Sequence, residues 1–388
     1  MKKPGMRSFG ISRSALIWNS KNLLIRSGRA ESETLHPCSV LNFLQIIHHF
    51  SREAASKMNN YQALTVDWKG SGLEPEIRSY SLDELPEGEV TIRVAYSGVN
   101  YKDGLASILG GNIVNSYPHI PGIDMSGTVV ASSDPAFREG DEVLVTGYGL
   151  GVSHPGGFTQ MTRVPAAWVV PLPPGMSAKA AMAVGTAGFT AALSIHRMEE
   201  NGLAAGQGPV LVTGATGGVG SWAVAMLARS GYDVTASSRK SAEVDYLKKL
   251  GAAECISPQD LELPEGRSLQ QERWAGAVDP VGGALLPHVL RSVRYGGSVT
   301  VSGFTGGMDF ASSVLPFILR GVNLLGIDSV QCPMELRRKV WERIAAEWLP
   351  EEEMLDSVVH EIALSDLPDA LAQILQGRMR GRAIVNLT

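Results

Sequence analysis

Cysteine is scarce in this sequence. The 388 residues hold three, Cys38, Cys255 and Cys332, far apart in the chain. An odd and scattered set forms neither a disulfide framework nor a metal cluster, and it favours a reducing, cytoplasmic setting. Nothing approaches the ~20 consecutive apolar residues that a spanning helix needs, so no membrane role is expected. An excess of basic charge is also lacking, because the formal net charge is −5. That value hides an asymmetry. Residues 1–57 carry nine Lys/Arg against three Glu, and the remainder carries 25 basic against 36 acidic residues. A body of net charge −11 argues against a nucleic-acid-binding surface, though not against a local basic pocket. There is no internal repeat, low-complexity tract or long linker.

The length suffices for two domains of ordinary size. A hydrophobic content of 44% supports substantial cores, and 43 Gly with 21 Pro imply many turns. Residues 1–57 stand apart. The first thirty hold Arg, Lys and Ser with no acid, a composition similar to a mitochondrial transit peptide. Alternatively, Met58 is the natural start and the preceding stretch is an upstream extension. The segment is expected to be disordered or not native.

The chain is organised around Val210–Leu227, VLVTGATGGVGSWAVAML. The β-branched and apolar run Val210–Thr213 reads as a buried parallel strand. Glycines 214, 217, 218 and 220 form a turn, and an apolar helix follows over Val219–Ser230, ending before Gly231. Strand, glycine turn and helix in this order suit a dinucleotide pyrophosphate. The glycines admit the phosphates closely, and the helix N–H groups and dipole face the anion. The spacing is not the strict G-x-G-x-x-G, and a tight turn that binds nothing is the competing reading. The next strand, Asp233–Ser237, leads into Ser238, Arg239 and Lys240. An acid there would bond a free ribose 2′-hydroxyl. Two cations and hydroxyls suit a 2′-phosphate instead, which points to NADPH.

Upstream, Gln62–Val66 and Glu89–Tyr96 alternate as half-buried strands. Met125–Val130 and Phe137–Val145 supply further strands or turns into strands, and Gly156–Gln160 opens the next. Ala178–Leu193 reads as a helical crossover. Later strands fall at Ala253–Ser257, Gly276–Val281 and Gly297–Ser302. Helices are expected over Glu335–Trp348 and Leu367–Gln376. A final strand, Arg382–Asn386, is expected to return to the first domain.

Gly98-Val-Asn-Tyr-Lys-Asp103, Pro121-Gly-Ile-Asp124, Gly140-Asp-Glu-Val143, Gly156-Gly-Phe158, Gly185-Thr-Ala-Gly-Phe-Thr190, the Gly214–Gly220 turn and Pro316-Phe-Ile-Leu-Arg320 occur in this order. Together they resemble the zinc-independent quinone oxidoreductase branch of the medium-chain dehydrogenase/reductases, and more narrowly the NADPH-dependent acrylyl-CoA reductase group. The resemblance runs from about residue 60 to the C-terminus. It implies an α/β architecture with a GroES-like β-rich catalytic domain over 58–184 and a Rossmann doubly wound parallel sheet over 185–326. A return to the catalytic domain over 327–388 and a homodimer are also implied. Zinc enzymes of the superfamily place a Cys in the loop that here is Gly98–Asp103, and a His-Glu pair where this chain has Ile123-Asp124. Asn100, Tyr101 and Asp124 do not make a zinc site. His119 and His154 have no partner at ligand spacing.

Without a Lewis acid, the fitting chemistry is reduction of a carbon–carbon double bond conjugated to a carbonyl, with enolate charge held by donors. Asn100 and Tyr101 are the candidates beside the nicotinamide, Tyr101 as hydrogen-bond or proton donor. Asp103 is either catalytic or a cap or ion-pair partner of the loop. Arg320 follows an apolar run, so its head is expected either on an acyl carbonyl, carboxylate or CoA phosphate, or in an interdomain salt bridge. The coenzyme is expected on Tyr101, Thr186, Gly214, Thr216, Gly217, Gly218, Val219, Gly220, Ser238, Arg239 and Lys240. The resemblance adds Gly303, Phe304, Ile327, Ser329 and Arg382. The expected reaction is acrylyl-CoA to propionyl-CoA. A quinone or general unsaturated-carbonyl reductase is the alternative, and a non-catalytic NADPH-binding protein is one of another class.

Overall fold

The computed structural model describes residues 60–262 and 268–388, together with two short paired strands, Leu16–Asn19 and Asn22–Ile25. The expectation for residues 1–57 otherwise lies outside the described residues. By packing, the chain divides between Asn60 and Tyr61.

Within 61–388 two sheets carry the architecture. The first gathers β1 (Asn60–Lys69) and β2 (Gly72–Ser81) as a hairpin beside a seven-stranded sheet. That sheet holds β3 (Val90–Gly98), β4 (Asp124–Ser132), β5 (Glu142–Thr146), β6 (Met161–Val164) and β7 (Val170–Pro171). Its apolar side chains, among them Ile92, Val94, Met125 and Val145, pack into one core with Phe158 and Leu64. The strand expected to open at Gly156 starts only at Met161, because Gly156 and Gly157 lie against the carbonyls of Pro121 and Asp124 as loop.

The second sheet is six-stranded and parallel. It holds β8 (Val210–Val212), β9 (Val234–Ser237), β10 (Glu254–Ile256), β11 (Trp274–Asp279), β12 (Val293–Val301) and β13 (Asn323–Gly326). Its spatial order is β10-β9-β8-β11-β12-β13, the doubly wound arrangement whose ligand crevice lies at the carboxyl ends of the strands. Val210, Leu211 and Val212 are fully buried, as covering by helices on both faces requires.

Helix α1 (Tyr101–Leu105) opens the loop after β3, and α2 (Ala178–Glu200) crosses between the sheets. By length and composition alone, α2 could cross a membrane, but 83% of its most apolar window is buried in the protein. It outruns the expected Leu193 because Ser194, Ile195, His196 and Met198 are buried too. Its backbone breaks at Gly185 (φ 52°, ψ −160°). Helix α3 (Gly218–Arg229) follows the glycine turn and ends before Gly231 in a left-handed conformation (φ 78°). The last strands, β14 (Val359–Ala363) and β15 (Arg382–Asn386), join the seven-stranded sheet, with β15 antiparallel to β3.

Candidate active site

The glycine turn is built as a phosphate seat requires. Gly214 needs its positive φ of 55°. A Cβ on Gly220 would stand 2.6 Å from Ala215 Cα, so the turn closes only with glycine there. Gly217 caps α3 and is open: a Cβ would meet nothing nearer than 3.4 Å. Ser221 N–H donates to Gly217 O as the first intrahelical donor, and the N–H groups of Gly218, Val219 and Gly220 precede it. Thr216 is buried, and its hydroxyl lies 3.3 Å from that of Ser238.

At the end of β9, the Ser238 hydroxyl accepts from Lys240 N–H at 3.0 Å. Lys240 Nζ donates to Met379 O at 2.9 Å, and burial holds its ammonium below the usual lysine value. Arg239 is exposed and pairs with no acid among the described residues. A third cation escaped the sequence reading. Arg380 packs over Tyr246 and pairs with Glu243 at 3.1 Å. It comes from the chain's far end, so nothing local marks it.

On the catalytic side, three expected residues, Asn100, Thr186 and Arg382, meet Asp124 in one knot. Asp124 is wholly buried, and its carboxylate accepts from Asn100 Nδ2 at 2.8 Å, from Thr186 N–H at 2.8 Å and from the Thr186 hydroxyl. Arg382 pairs with it at 3.2 Å and also donates to Val99 O at 2.8 Å and Asn100 Oδ1 at 2.9 Å. Asn100 Nδ2 further donates to Gly98 O. Its amide is spent within the protein, which corrects its expected contact with substrate or nicotinamide. Thr186 is likewise committed through its hydroxyl. Asp103 is committed within the loop as well. It is fully buried, and its carboxylate accepts the N–H groups of Asn100 (2.7 Å), Ile123 (2.9 Å) and Gly122 (3.2 Å). Burial, with the Asp124 carboxylate close by, pushes its pKa up to about 7 against the pull of those donors. It is the cap that fixes the loop. Tyr101 alone of the loop is half-buried with a hydroxyl that bonds nothing among the described residues.

Arg320 is a second correction. Its guanidinium donates to the carbonyls of Arg291 (2.9 Å), Val293 (3.2 Å) and Gln270, with Glu272 at 3.5 Å. Val293 begins β12, so Arg320 sits at the amino end of the parallel sheet, opposite the ligand crevice. The arginine does go somewhere specific, but its target is backbone.

Gly303 fits only as glycine, because a Cβ would strike Pro280 O. Phe304 beside it is half exposed. Ile327 N–H donates to Val301 O, extending β13 toward the crevice. The Ser329 hydroxyl accepts from Thr190, and its carbonyl accepts from Arg337 at 2.9 Å. Arg337 was legible only as part of a charged helix. It is completely buried in Met334–Arg343, donates also to Thr146 and Val330, and packs over the Tyr148 ring. His119 and His154 form no cluster, and no group of three or more His, Cys, Asp or Glu among the described residues could hold a metal.

Residues 86–174 match the alcohol dehydrogenase GroES-like domain, and residues 218–346 match the zinc-binding dehydrogenase domain. YhfP of Bacillus subtilis, which carries a quinone oxidoreductase name, is 54% identical over 84% of this chain and 99% of its own length. The chain belongs to the medium-chain dehydrogenase/reductases, on their quinone oxidoreductase branch. Within this branch the acrylyl-CoA reductase AcuI of Ruegeria pomeroyi is 48% identical, over 84% of this chain and 99% of its own. The NAD-bound structure of YhfP superposes with a TM-score of 0.82 at 53% identity, covering 84% of this chain and 99% of that one. The NADP complex of the YhdH oxidoreductase from Salmonella enterica gives 0.81 at 42% identity, covering 84% of this chain and all (100%) of that one.

Proposed function

We propose that this oxidoreductase reduces the carbon–carbon double bond of a small α,β-unsaturated acyl-CoA with NADPH, acrylyl-CoA to propionyl-CoA being the best small substrate. The observation that carries the coenzyme half is the acid-free end of β9, with Ser238, the unpaired Arg239 and Lys240 beside an open glycine turn. The Arg382 stem fits the same reading: its Cδ lies 3.2 Å from where a Cβ of Gly218 would stand, so the stem borders the turn. Bound NADPH would supply the hydride that adds at the β carbon, and a proton from solvent or the Tyr101 hydroxyl completes the α carbon. Gly214, Thr216, Gly217, Gly218, Val219 and Gly220 hold its pyrophosphate, and Gly303, Phe304, Ile327 and Ser329 border its nicotinamide half. Tyr101 holds the oxygen on which enolate charge develops, because a preformed donor there stabilises the transition state more than the ground state. Asp124, Asn100 and Asp103 fix the loop that aims it.

The acyl-CoA half rests on the AcuI relative, while the name of YhfP favours quinones as the second reading. The deciding experiment follows NADPH oxidation with acrylyl-CoA, crotonyl-CoA and a quinone side by side. Faster turnover of the quinone than of either thioester would refute the substrate assignment.

The domain division at 58–184, 185–326 and 327–388 belongs to the same proposal, as do a cytoplasmic setting and the absence of nucleic-acid or membrane partners. So does a homodimer. Strand β13 ends the parallel sheet with one edge unpaired, and Val314 (65% exposed), Ile318 (68%) and Leu319 (59%) lie just before it. A second copy would continue the sheet and cover them. Light scattering giving the mass of one chain would refute it.

A further inference from the structure

A fully buried ion pair is an expensive way to hold a fold. Desolvation costs several kcal/mol per ion, and apolar replacements of similar volume often match it. Here the surroundings are shaped to keep it. A Cβ on Gly98 would lie 2.5 Å from Arg382 Nη2 and 2.9 Å from Asp124 Oδ2. A Cβ on Gly185 would lie 2.5 Å from the same carboxylate oxygen, and Gly185 takes the backbone conformation that breaks α2. Thus β3, β4, α2 and β15 all meet at one carboxylate–guanidinium pair.

The pair also has two ends. At one end, Gly381 N–H donates to Thr216 O at 3.0 Å inside the glycine turn, and the Arg382 stem packs by Gly218. At the other, the fork holds Val99 O, Asn100 Oδ1 and Asp124, one residue from Tyr101. The remaining donor, Nε–H, is buried without an acceptor among the described residues.

We propose that Arg382 and Asp124 are positioning residues that couple the phosphate turn to the Tyr101 loop. An anion seated in the turn fixes Thr216 and, through the Gly381 N–H bond to its carbonyl, the backbone that carries Arg382. That pins the guanidinium, and the pinned fork orders Val99, Asn100 and hence Tyr101. The proposal rests on the turn being the coenzyme seat, and it needs no particular substrate.

The test uses 2′-phospho-ADP-ribose, the part of NADPH without the nicotinamide ring. It carries the groups expected in the turn and lacks the nicotinamide ring that Tyr101 is expected to face. Amide hydrogen exchange of residues 99–105 is followed with and without saturating fragment. In the wild type, exchange should slow at least tenfold. Arg382→Lys, which lacks the planar fork, should abolish the slowing. Because Arg382→Lys and Asp124→Asn disturb a buried charge and could unfold the chain, Thr186→Val is the second arm. It removes one donor from Asp124 and keeps the ion pair. It should cut the slowing to under threefold at saturation, and Thr186→Ser should restore it. Unchanged exchange in the saturated wild type overturns the coupling, as does slowing as large as the wild type's in Thr186→Val and Arg382→Lys. Failure of the fragment to bind overturns it together with the coenzyme seat. Inactivity toward acrylyl-CoA would refute the substrate reading alone.

Discussion

Arg239→Ala is the sharpest probe of coenzyme choice. The Arg239 side chain is exposed and holds no partner among the described residues, so recruiting it to a phosphate breaks no existing bond. A charge-assisted hydrogen bond contributes about 1.5–3 kcal/mol. An exposed pair at contact gains nearer 1 kcal/mol in water. Between these limits, the loss should be about 1–2 kcal/mol, or roughly 5–30-fold in the Kd for NADPH. NADH has no 2′-phosphate, and its Kd should move less than twofold. Fluorescence titration of both reduced coenzymes reads this directly, and raising the salt should shrink the NADPH effect. Lys240→Ala is a less clean variant. Its Nζ also holds Met379 O, two residues before Gly381, so its loss should weaken both coenzymes through the loop. If Arg239→Ala weakens NADPH and NADH equally, the 2′-phosphate assignment is wrong.

Tyr101→Phe should lower kcat with acrylyl-CoA by roughly 10²–10³, the typical cost of losing one such donor, with NADPH affinity unchanged; wild-type turnover would leave Tyr101 as pocket wall. Activity should survive exhaustive chelation, and elemental analysis should find less than stoichiometric zinc. A chain beginning at Met58 should fold and keep full activity, because packing divides the molecule just beyond it; loss of soluble protein would show that the first segment supports the body. The Asp103 pKa, raised to about 7 in the fold from 3.8, predicts the sign of a pH effect. Between about pH 4 and 7 the unfolded chain releases this proton more readily, so the group's contribution to stability falls as pH rises and levels off above 7. Melting curves of wild type and Asp103→Asn across that range should therefore differ in slope, the variant losing less on the way up; parallel curves would place the Asp103 pKa near its ordinary value.

The parts that were legible in the sequence share a cause. The glycine turn, the apolar β8 and the acid-free end of β9 are local devices, because backbone conformation and burial on both faces act on neighbours in the chain. Strand β13 was missed because it has four residues, begins with Asn and is only half-buried, so no periodic pattern marks an edge strand of that length. Arg320 and Arg337 show how far the local rule reaches. Each arginine lies beside apolar residues, and each does bury its head. The destination, though, is a set of backbone carbonyls at the amino end of one sheet for Arg320, and at Thr146, Ser329 and Val330 for Arg337. Only the tertiary fold decides which carbonyls lie unpaired there. The Asp124–Arg382 pair is the extreme case, since 258 residues separate its partners. Its one trace in the sequence is indirect. Gly98 and Gly185 are the two positions where a Cβ would collide with the pair, and both open motifs that looked like parts of the reacting site. Those motifs shape the space for a buried charge that fixes Asn100, and within the Gly98–Asp103 loop Tyr101 and Lys102 keep polar heads that bond nothing among the described residues.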